Sequence, residues 1–219
     1  MPVQFHDAQF QKLSRDELSK WSDAEAAAVS DCLERSMAMD GGISPLDGAM
    51  RIVGQARTVR CMVGDNSALH AAITLARPGD VLVADAGGFL GTAVWGGLMT
   101  HAALRQQVAG LIIDGAVRDR SEIVEVDFPC YARGLVPRGP HKAFGGAIDC
   151  PINCGGVAVR AGDLVIADGD GVTIVPLERV EETWDAYQAL KQKEGKALAA
   201  LEAGGTLGEI YGVPEIVRV

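Results

Sequence analysis

The sequence predicts an α/β fold in which two layers of sheet are flanked by helices. The predicted elements begin with helices, continue as a βαβα stretch, become a half rich in short strands and finish in a long helix. Hydrophobic residues make up 48% of the chain, aromatic residues only 5%, and there are 27 glycines, which favours tight packing of small aliphatic side chains. The 219 residues (1–219) fit a single domain with helical extensions.

Two helix starts are predicted before the first strand. Ser14 with Glu17, and Ser22 with Glu25, have the spacing of a capping box, in which each side chain accepts a free backbone N–H. The second box predicts a helix that ends at Gly41-Gly42. Its apolar face carries Ala26, Val29, Leu33 and Met37.

The central region alternates strands with helices. Asp65-Asn66-Ser67 caps a helix that Arg77-Pro78-Gly79 stops, and a glycine loop, Gly87–Gly91, precedes the next helix. Strands are predicted over 51–63, 81–85 and 111–113, and the second of these helices over about 94–108. The third strand is expected to end in a glycine turn at Gly115.

Short strands separated by turns predominate from residue 128 onward. They are predicted over 128–132, 157–159, 164–167 and 172–175. Asp168 and Asp170 are typical of a hairpin turn, because the run is too short for a calcium loop and lacks its later glutamate. A long helix is predicted over 177–203, closed by Gly204-Gly205.

Charge and cysteine content exclude several classes of protein. The net charge of −9 is unfavourable for a general nucleic-acid binder, which needs clustered lysine and arginine. The chain shows neither an apolar run long enough for a membrane span nor the pattern of a signal peptide. Its five cysteines, an odd number, favour reduced thiols. We therefore expect a cytoplasmic protein without nucleic-acid or membrane partners.

The adjacent pair Arg118-Asp119 is the strongest candidate for a functional site. It follows the apolar strand 111–113, and ligands of open α/β sheets collect at the carboxyl ends of strands. A guanidinium donates two parallel hydrogen bonds to a carboxylate, and the aspartate beside it can hold a divalent cation that shares the same ligand. The alternative is a surface ion pair within a solvated charge run that extends to Glu122.

The glycine loop Gly87–Gly91 is a second candidate. Its spacing matches no nucleotide-binding fingerprint, so the loop would offer backbone N–H groups at a helix N-terminus to a small carboxylate. The alternative is a glycine turn that serves packing alone.

Two weaker signals involve histidine and cysteine. His101, on the helix after the loop, suits a general base, although a lone histidine on a helix is more often structural. Cys150 and Cys154 have a spacing compatible with zinc, with His141 and Cys130 nearby, but no second pair follows, and packing is the favoured interpretation.

Five ordered segments resemble the RraA-like family. They are Ile52–Val59, Ala86–Gly88 with Trp95-Gly96, Asp114–Asp119, Pro151–Val157 and Gly162–Val172. That family includes 4-hydroxy-4-methyl-2-oxoglutarate / 4-carboxy-4-hydroxy-2-oxoadipate aldolases and the regulator of ribonuclease E activity A. The resemblance covers about residues 20–200 and implies an α/β/β/α sandwich with a long C-terminal helix. It also implies homotrimers or dimers of trimers with active sites between subunits.

The resemblance implies specific roles for residues of this chain. Arg118 binds the pyruvyl carboxylate, Asp119 anchors Mg²⁺ or Mn²⁺, and Glu194 of a neighbouring subunit supports the water shell of the metal. The amides that hold the same carboxylate are those near Val94, Trp95, Gly96 and Gly97.

One position departs from the aldolases, which carry an acidic residue where this chain has Gly97. That carboxylate would orient metal-bound water or Arg118, so an acid introduced at Gly97 is predicted to raise aldol cleavage relative to decarboxylation. The non-catalytic regulator of this family lacks the aspartate of the pair, whereas this chain has it as Asp119.

Together these features predict a divalent-metal-dependent lyase that acts on a small 2-oxo acid with an extra carboxylate. Retro-aldol cleavage and oxaloacetate decarboxylation share a pyruvate enolate, so one site can perform both. A Schiff-base mechanism is not expected, because it needs a buried lysine and none is evident. The alternative is a catalytically silent, protein-binding regulator on the same scaffold.

Overall fold

The computed structural model of the protein describes residues 1–218. The strands are β1 (Val3–Phe5), β2 (Ser44–Pro45), β3 (Ile52–Cys61), β4 (Asp80–Asp85), β5 (Ala93–Trp95), β6 (Gly110–Val117), β7 (Cys130–Leu135), β8 (Gly146–Ile148), β9 (Ile152–Cys154), β10 (Val157–Val159), β11 (Leu164–Asp168) and β12 (Gly171–Val175). The helices are α1 (Arg15–Ser19), α2 (Ala26–Cys32), α3 (Ser67–Leu75), α4 (Gly97–Arg105), α5 (Arg120–Glu125), α6 (Val180–Glu202) and α7 (Leu207–Tyr211), and a 3-10 turn at Leu177–Arg179 leads into α6.

The strand β3 joins two parts of the sheet. One of its edges pairs in parallel with β4, which continues through β6 to β7, while its other edge pairs antiparallel with β11 and then with β8. Strands β4 and β6 are mostly apolar, and β6 is buried at every residue, as expected when both faces of a sheet are covered. The hairpin β9–β10 forms a separate small sheet.

Two hydrophobic clusters cover the sheet. The larger lies around β3, β4, β6 and β7 with α3 and α4, and the smaller joins α2 and α6 to β11 through Trp21, Val29, Ile166 and Tyr187. The α/β class, the glycine-rich loop and the long C-terminal helix are therefore confirmed. None of the helices in residues 1–218 combines the length and apolar character that crossing a membrane requires.

The helix predicted after Ser22 is shorter than expected and is capped differently. It runs only over Ala26–Cys32, and Glu25, at its N-cap, makes no capping hydrogen bond with its side chain. The carboxylate of Asp168, 142 residues away, accepts the Ala26 N–H at 2.9 Å instead. The capping box at Ser14 and Glu17 is confirmed.

Two predictions near the Arg118-Asp119 pair were wrong. Val94 and Trp95 lie in β5, beside β6, and the helix that was predicted from about residue 94 begins at Gly97. Strand β6 does not turn at Gly115 but continues to Val117 with an irregular register. A Cβ at Gly115 would lie 2.7 Å from the Cβ of Ala86, so this glycine permits a close approach of neighbouring chain segments.

Candidate active site at the end of strand β6

Arg118 and Asp119 leave β6 beside the end of β5. The Arg118 N–H donates to the Trp95 carbonyl at 3.0 Å, which ties the backbone of the pair to the neighbouring strand. The Arg118 Nε lies 3.6 Å from Asp119 Oδ2, and the two side chains remain 44% and 42% exposed. The pair is thus anchored through its backbone while both charged groups stay accessible.

Asp119 has a left-handed backbone, with φ 60° and ψ 38°. This conformation is uncommon outside glycine, although aspartate and asparagine tolerate it better than other residues. Its Oδ2 accepts the Gly97 N–H at 3.0 Å, at the first turn of α4. The Gly97 N–H, which was expected to bind the substrate carboxylate, therefore donates its hydrogen bond to Asp119.

Because Gly96 has no side chain, the end of β5 can lie in contact with Arg118 and Asp119. A Cβ at this position would lie 2.6 Å from Asp119 Oδ2 and 3.1 Å from Arg118 Cγ. Because its φ of −171° is ordinary extended backbone, space rather than conformation requires glycine here.

Trp95 fixes the turn from β5 into α4. Its buried indole Nε1 donates to Thr100 Oγ1 at 2.8 Å, and that hydroxyl donates to the Gly96 carbonyl at 3.2 Å. The ring stacks on Phe128 with 6.1 Å between centroids. Its side chain thus supports the site from the core.

A cavity of about 120 Å³ opens in front of these residues. It brings together five residues predicted from the sequence, namely Val94, Trp95, Gly96, Arg118 and Asp119. It also contains Asn66, His70 and Lys142, which were not predicted as site residues. Lys142 is 24 residues from Arg118 in the sequence, and the fold brings both to the same cavity.

The cavity is suited to an anionic, oxygen-rich ligand. Arg118 and Lys142 supply two cations to its lining. Burial and the positive charge of Lys142 lower the pKa of His70. This imidazole is therefore neutral near pH 7 and can accept as well as donate a hydrogen bond.

Glu122 and His101 form a pair at the Gly97 end of the site. Their Oε1 and Nε2 atoms are 2.9 Å apart, and both side chains are about half exposed. A Cβ at Gly97 would overlap the Glu122 carboxylate. His101 is thus neither solitary nor buried, and the space for a side chain at Gly97 is already filled.

Two expected contributors lie elsewhere in the subunit. Glu194 is paired with Lys191 Nζ at 2.8 Å on α6 and does not line the cavity, so its role in a neighbouring subunit stays a prediction. The prediction that the amides of Gly87–Gly91 bind an anion is wrong for the first three of them. The N–H groups of Gly87, Gly88 and Phe89 donate within the chain, to Asp85, Asp114 and Ala86.

Zinc at Cys150 and Cys154 finds no support. Within residues 1–218, no three His, Cys, Asp or Glu side chains group in a way that could hold a metal ion. Burial raises the pKa of both thiols, which keeps them protonated, and Cys154 Sγ contacts the Ala84 carbonyl at 3.6 Å.

The donor set at Asp119 fits a hard divalent cation. Zinc sites require several nitrogen or sulfur ligands, whereas Mg²⁺ is often held by one or two carboxylates and completes its shell with water and substrate oxygens. Asp119 is an accessible carboxylate on a cavity whose other charged groups attract a carboxylate ligand. The site therefore suits Mg²⁺ or Mn²⁺ shared with a substrate.

A larger cavity of about 490 Å³ lies between the N-terminal segment and α6. Its charged lining comprises four acidic residues and one lysine: Glu17, Glu178, Glu181, Asp185 and Lys20. An anionic substrate is therefore better suited to the smaller, cationic cavity.

Two named relatives align with most of this chain. A Halalkalibacterium halodurans protein named "Putative 4-hydroxy-4-methyl-2-oxoglutarate aldolase" is 36% identical over 179 residues, covering 82% of this chain and 84% of that protein. A Thermus thermophilus protein named 4-hydroxy-4-methyl-2-oxoglutarate aldolase is 32% identical over 154 residues, covering 70% of this chain and 93% of its own length.

Solved structures show the same fold. Streptomyces coelicolor RraAS2, described as an unusual member of the RNase ES inhibitor RraA protein family, superimposes with a TM-score of 0.77 and 27% identity over 87% of this chain and 98% of its own. The RraA-like family model, described as Aldolase/RraA, matches residues 26–174. The chain belongs to the RraA-like family.

Proposed function

We propose that this protein is a lyase of the aldolase type that cleaves a carbon–carbon bond in a small 2-oxo acid bearing a second carboxylate. The observation that carries the proposal is the convergence of Arg118, Asp119 and Lys142 on one cavity. The names of two relatives, 36% and 32% identical, support the same class of reaction.

Two cations of different geometry would bind the two ends of such a substrate. The planar guanidinium of Arg118 suits the pyruvyl carboxylate, because it can donate two parallel hydrogen bonds. Lys142 supplies a second, more mobile cation for the other carboxylate.

Asp119 is the residue that would hold a divalent cation, and such a cation would act as a Lewis acid toward the 2-oxo group. The chain itself fixes the carboxylate for this role through the Gly97 N–H. Lys142 is exposed rather than buried, so we assign it to charge pairing and not to a Schiff base.

Pyruvate release from a panel of hydroxylated 2-oxo diacids and oxaloacetate tests the proposal. The protein is first stripped with EDTA and then assayed with and without added Mg²⁺ or Mn²⁺, and in the presence of borohydride. We expect turnover only with the metal and no borohydride-trapped protein. Turnover that persists in EDTA with a trapped adduct on Lys142 would overturn the metal-dependent assignment.

The alternative function is a protein-binding regulator. The relation to RraAS2 supports it, and so does Leu98, which is 83% exposed beside the cavity. A regulator does not need Arg118 and Asp119 to face a shared cavity, so the lyase is the better-supported function. Absence of pyruvate release from every substrate of the panel, with metal present, would leave the regulator as the function.

A further inference from the structure

The carboxylate of Glu122 occupies the position that a side chain at residue 97 would take. A Cβ built on Gly97 overlaps Oε2 and Cδ of Glu122 and lies 2.6 Å from its Oε1. Gly97 also donates its N–H to Asp119 Oδ2. The carboxylates of Asp119 and Glu122 therefore both lie next to Gly97, the first residue of α4.

His101 holds Glu122 in that position. It lies one turn after Gly97 on α4, and its Nε2 is 2.9 Å from Glu122 Oε1 on α5. An exposed glutamate on a short helix would otherwise sample several rotamers, and this bond selects the one that points toward Gly97. The pair thus places a fixed carboxylate at the edge of the site.

Aldol cleavage requires a proton acceptor, and two groups can serve: the neutral imidazole of His70 in the cavity lining and the carboxylate of Glu122 beside Gly97. Glu122 is favoured because it shares Gly97 with Asp119, the proposed metal ligand. Arg118 is a permanent cation, and the Asp119 carboxylate is engaged by the Gly97 N–H and is the proposed metal ligand. Glu122 has no such commitment, since its hydrogen bond to His101 uses only Oε1.

We propose that Glu122 accepts the proton of the substrate hydroxyl, through one water, and that His101 is the positioning residue for Glu122. In a 4-hydroxy-2-oxo acid, the hydroxyl proton moves to Glu122 and the O–H electron pair forms the new carbonyl. The C3–C4 bond breaks, its electron pair remains on the pyruvate enolate, and the proton returns to C3. The inference rests on the proposed lyase function and adds the proton carrier to it.

Isosteric substitution is the direct test. Glu122→Gln keeps the shape but removes the basic oxygen, so kcat for aldol cleavage should fall about 10²–10⁴-fold, the usual contribution of a placed base. KM should change little, and cleavage should fall relative to oxaloacetate decarboxylation, which needs no proton acceptor. Glu125→Gln, on an exposed side chain of the same helix, is the matched control and should behave as the wild type.

Moving the carboxylate from residue 122 to residue 97 gives a second test, in which Tm is measured as well as activity. In contrast to the expectation from the sequence that an acid at Gly97 favours aldol cleavage, Gly97→Asp alone should lower Tm and activity, because the new side chain competes with Glu122 for space. Adding Glu122→Ala should restore Tm and recover part of the cleavage lost in Glu122→Ala alone. His101→Gln should lower kcat for cleavage less than Glu122→Gln does, with KM unchanged.

The outcomes separate this inference from the proposed function. A wild-type protein that releases no pyruvate refutes the lyase itself. A wild-type protein that cleaves, together with Glu122→Gln at full kcat and an unchanged ratio of cleavage to decarboxylation, refutes only the role of Glu122. Additive effects of Gly97→Asp and Glu122→Ala on Tm would also refute it, since residues that share space must show coupling.

Discussion

At the scale of single residues, Arg118 combines a fixed backbone with an accessible guanidinium. Its N–H is bonded to Trp95, and its side chain is 44% exposed on the cavity. Arg118→Lys keeps the charge but loses the planar fork, and a lost charge-assisted hydrogen bond is worth about 1.5–3 kcal/mol. We expect kcat/KM to fall about tenfold or more, measured by pyruvate release. Turnover equal to the wild type would contradict the carboxylate clamp.

Gly96 gives a prediction that depends on space alone. In Gly96→Ala the new methyl group would contact Asp119 Oδ2 and Arg118 Cγ, so both side chains must shift. A displacement of about 1 Å in a positioned group can cost about 10²-fold in rate, so kcat/KM should fall strongly while Tm changes little. Gly41→Ala, where an added Cβ meets nothing within 4 Å, is the control for both measurements.

The sequence identified the central residues of this site but not its surroundings. Arg118 and Asp119 were predicted because an arginine-aspartate pair after a buried strand is a local pattern, whereas residues 94–96 were predicted only through the resemblance to the RraA-like family. Lys142 and Asn66 reach the cavity from loops that are distant in sequence, and no local spacing reports such a contact. The conflict between Gly97 and Glu122 is likewise visible only when α4 and α5 are placed side by side.

At the scale of elements, buried strands were predicted well because their apolar runs are continuous. Strands β3, β4, β11 and β12 appear within a few residues of their expected bounds. The short strands β1, β2, β5, β8 and β9 were missed, because two or three residues carry little periodic signal and their pairing partners define them, although the equally short β10 was predicted. Helix α2 ended early, where Glu34 and Arg35 adopt positive φ.

The cap of α2 supplies a prediction about stability. Asp168 accepts N–H groups from Ala26 and Asp170 and is 6% exposed. Asp168→Ala leaves the first amide of α2 without its acceptor and should lower the free energy of unfolding by about 1–3 kcal/mol. Urea denaturation measures this, with Asp168→Asn, which keeps an acceptor oxygen, as the milder variant. Equal stability of Asp168→Ala and the wild type would show that the cap contributes nothing.

At the scale of the whole molecule, several large apolar side chains remain uncovered. Leu98 and Leu135 lie near Arg118, and Leu198 lies on the second half of α6, with exposures of 83%, 50% and 61%. Exposed apolar surface beside a charged cavity is typical of an interface. We expect light scattering to show a closed oligomer, a trimer or a dimer of trimers, and a monomer would contradict this.

Mixing inactive variants tests whether the active site is shared between copies. Asp119→Ala and Glu194→Ala subunits should each be inactive, yet a mixture should recover part of the activity, because one type of hybrid interface contains both intact residues. Mixing Asp119→Ala with Arg118→Ala is the control, since both changes lie in the same half of the site. Recovery in the control alone, or in neither mixture, would remove Glu194 from the active site.

The bond between Asp168 and the start of α2 also sets the order in which the newly made chain can fold. Residues 26–32 leave the ribosome long before their cap at residue 168 is synthesised, and the same holds for the β11 side chains on which Val29 and Leu33 pack. One edge of β3 can pair as soon as β4 emerges, but its other edge waits for residues 146–167. Throughout synthesis of the middle of the chain, that edge and the N-terminal helices therefore have no partner within the same molecule.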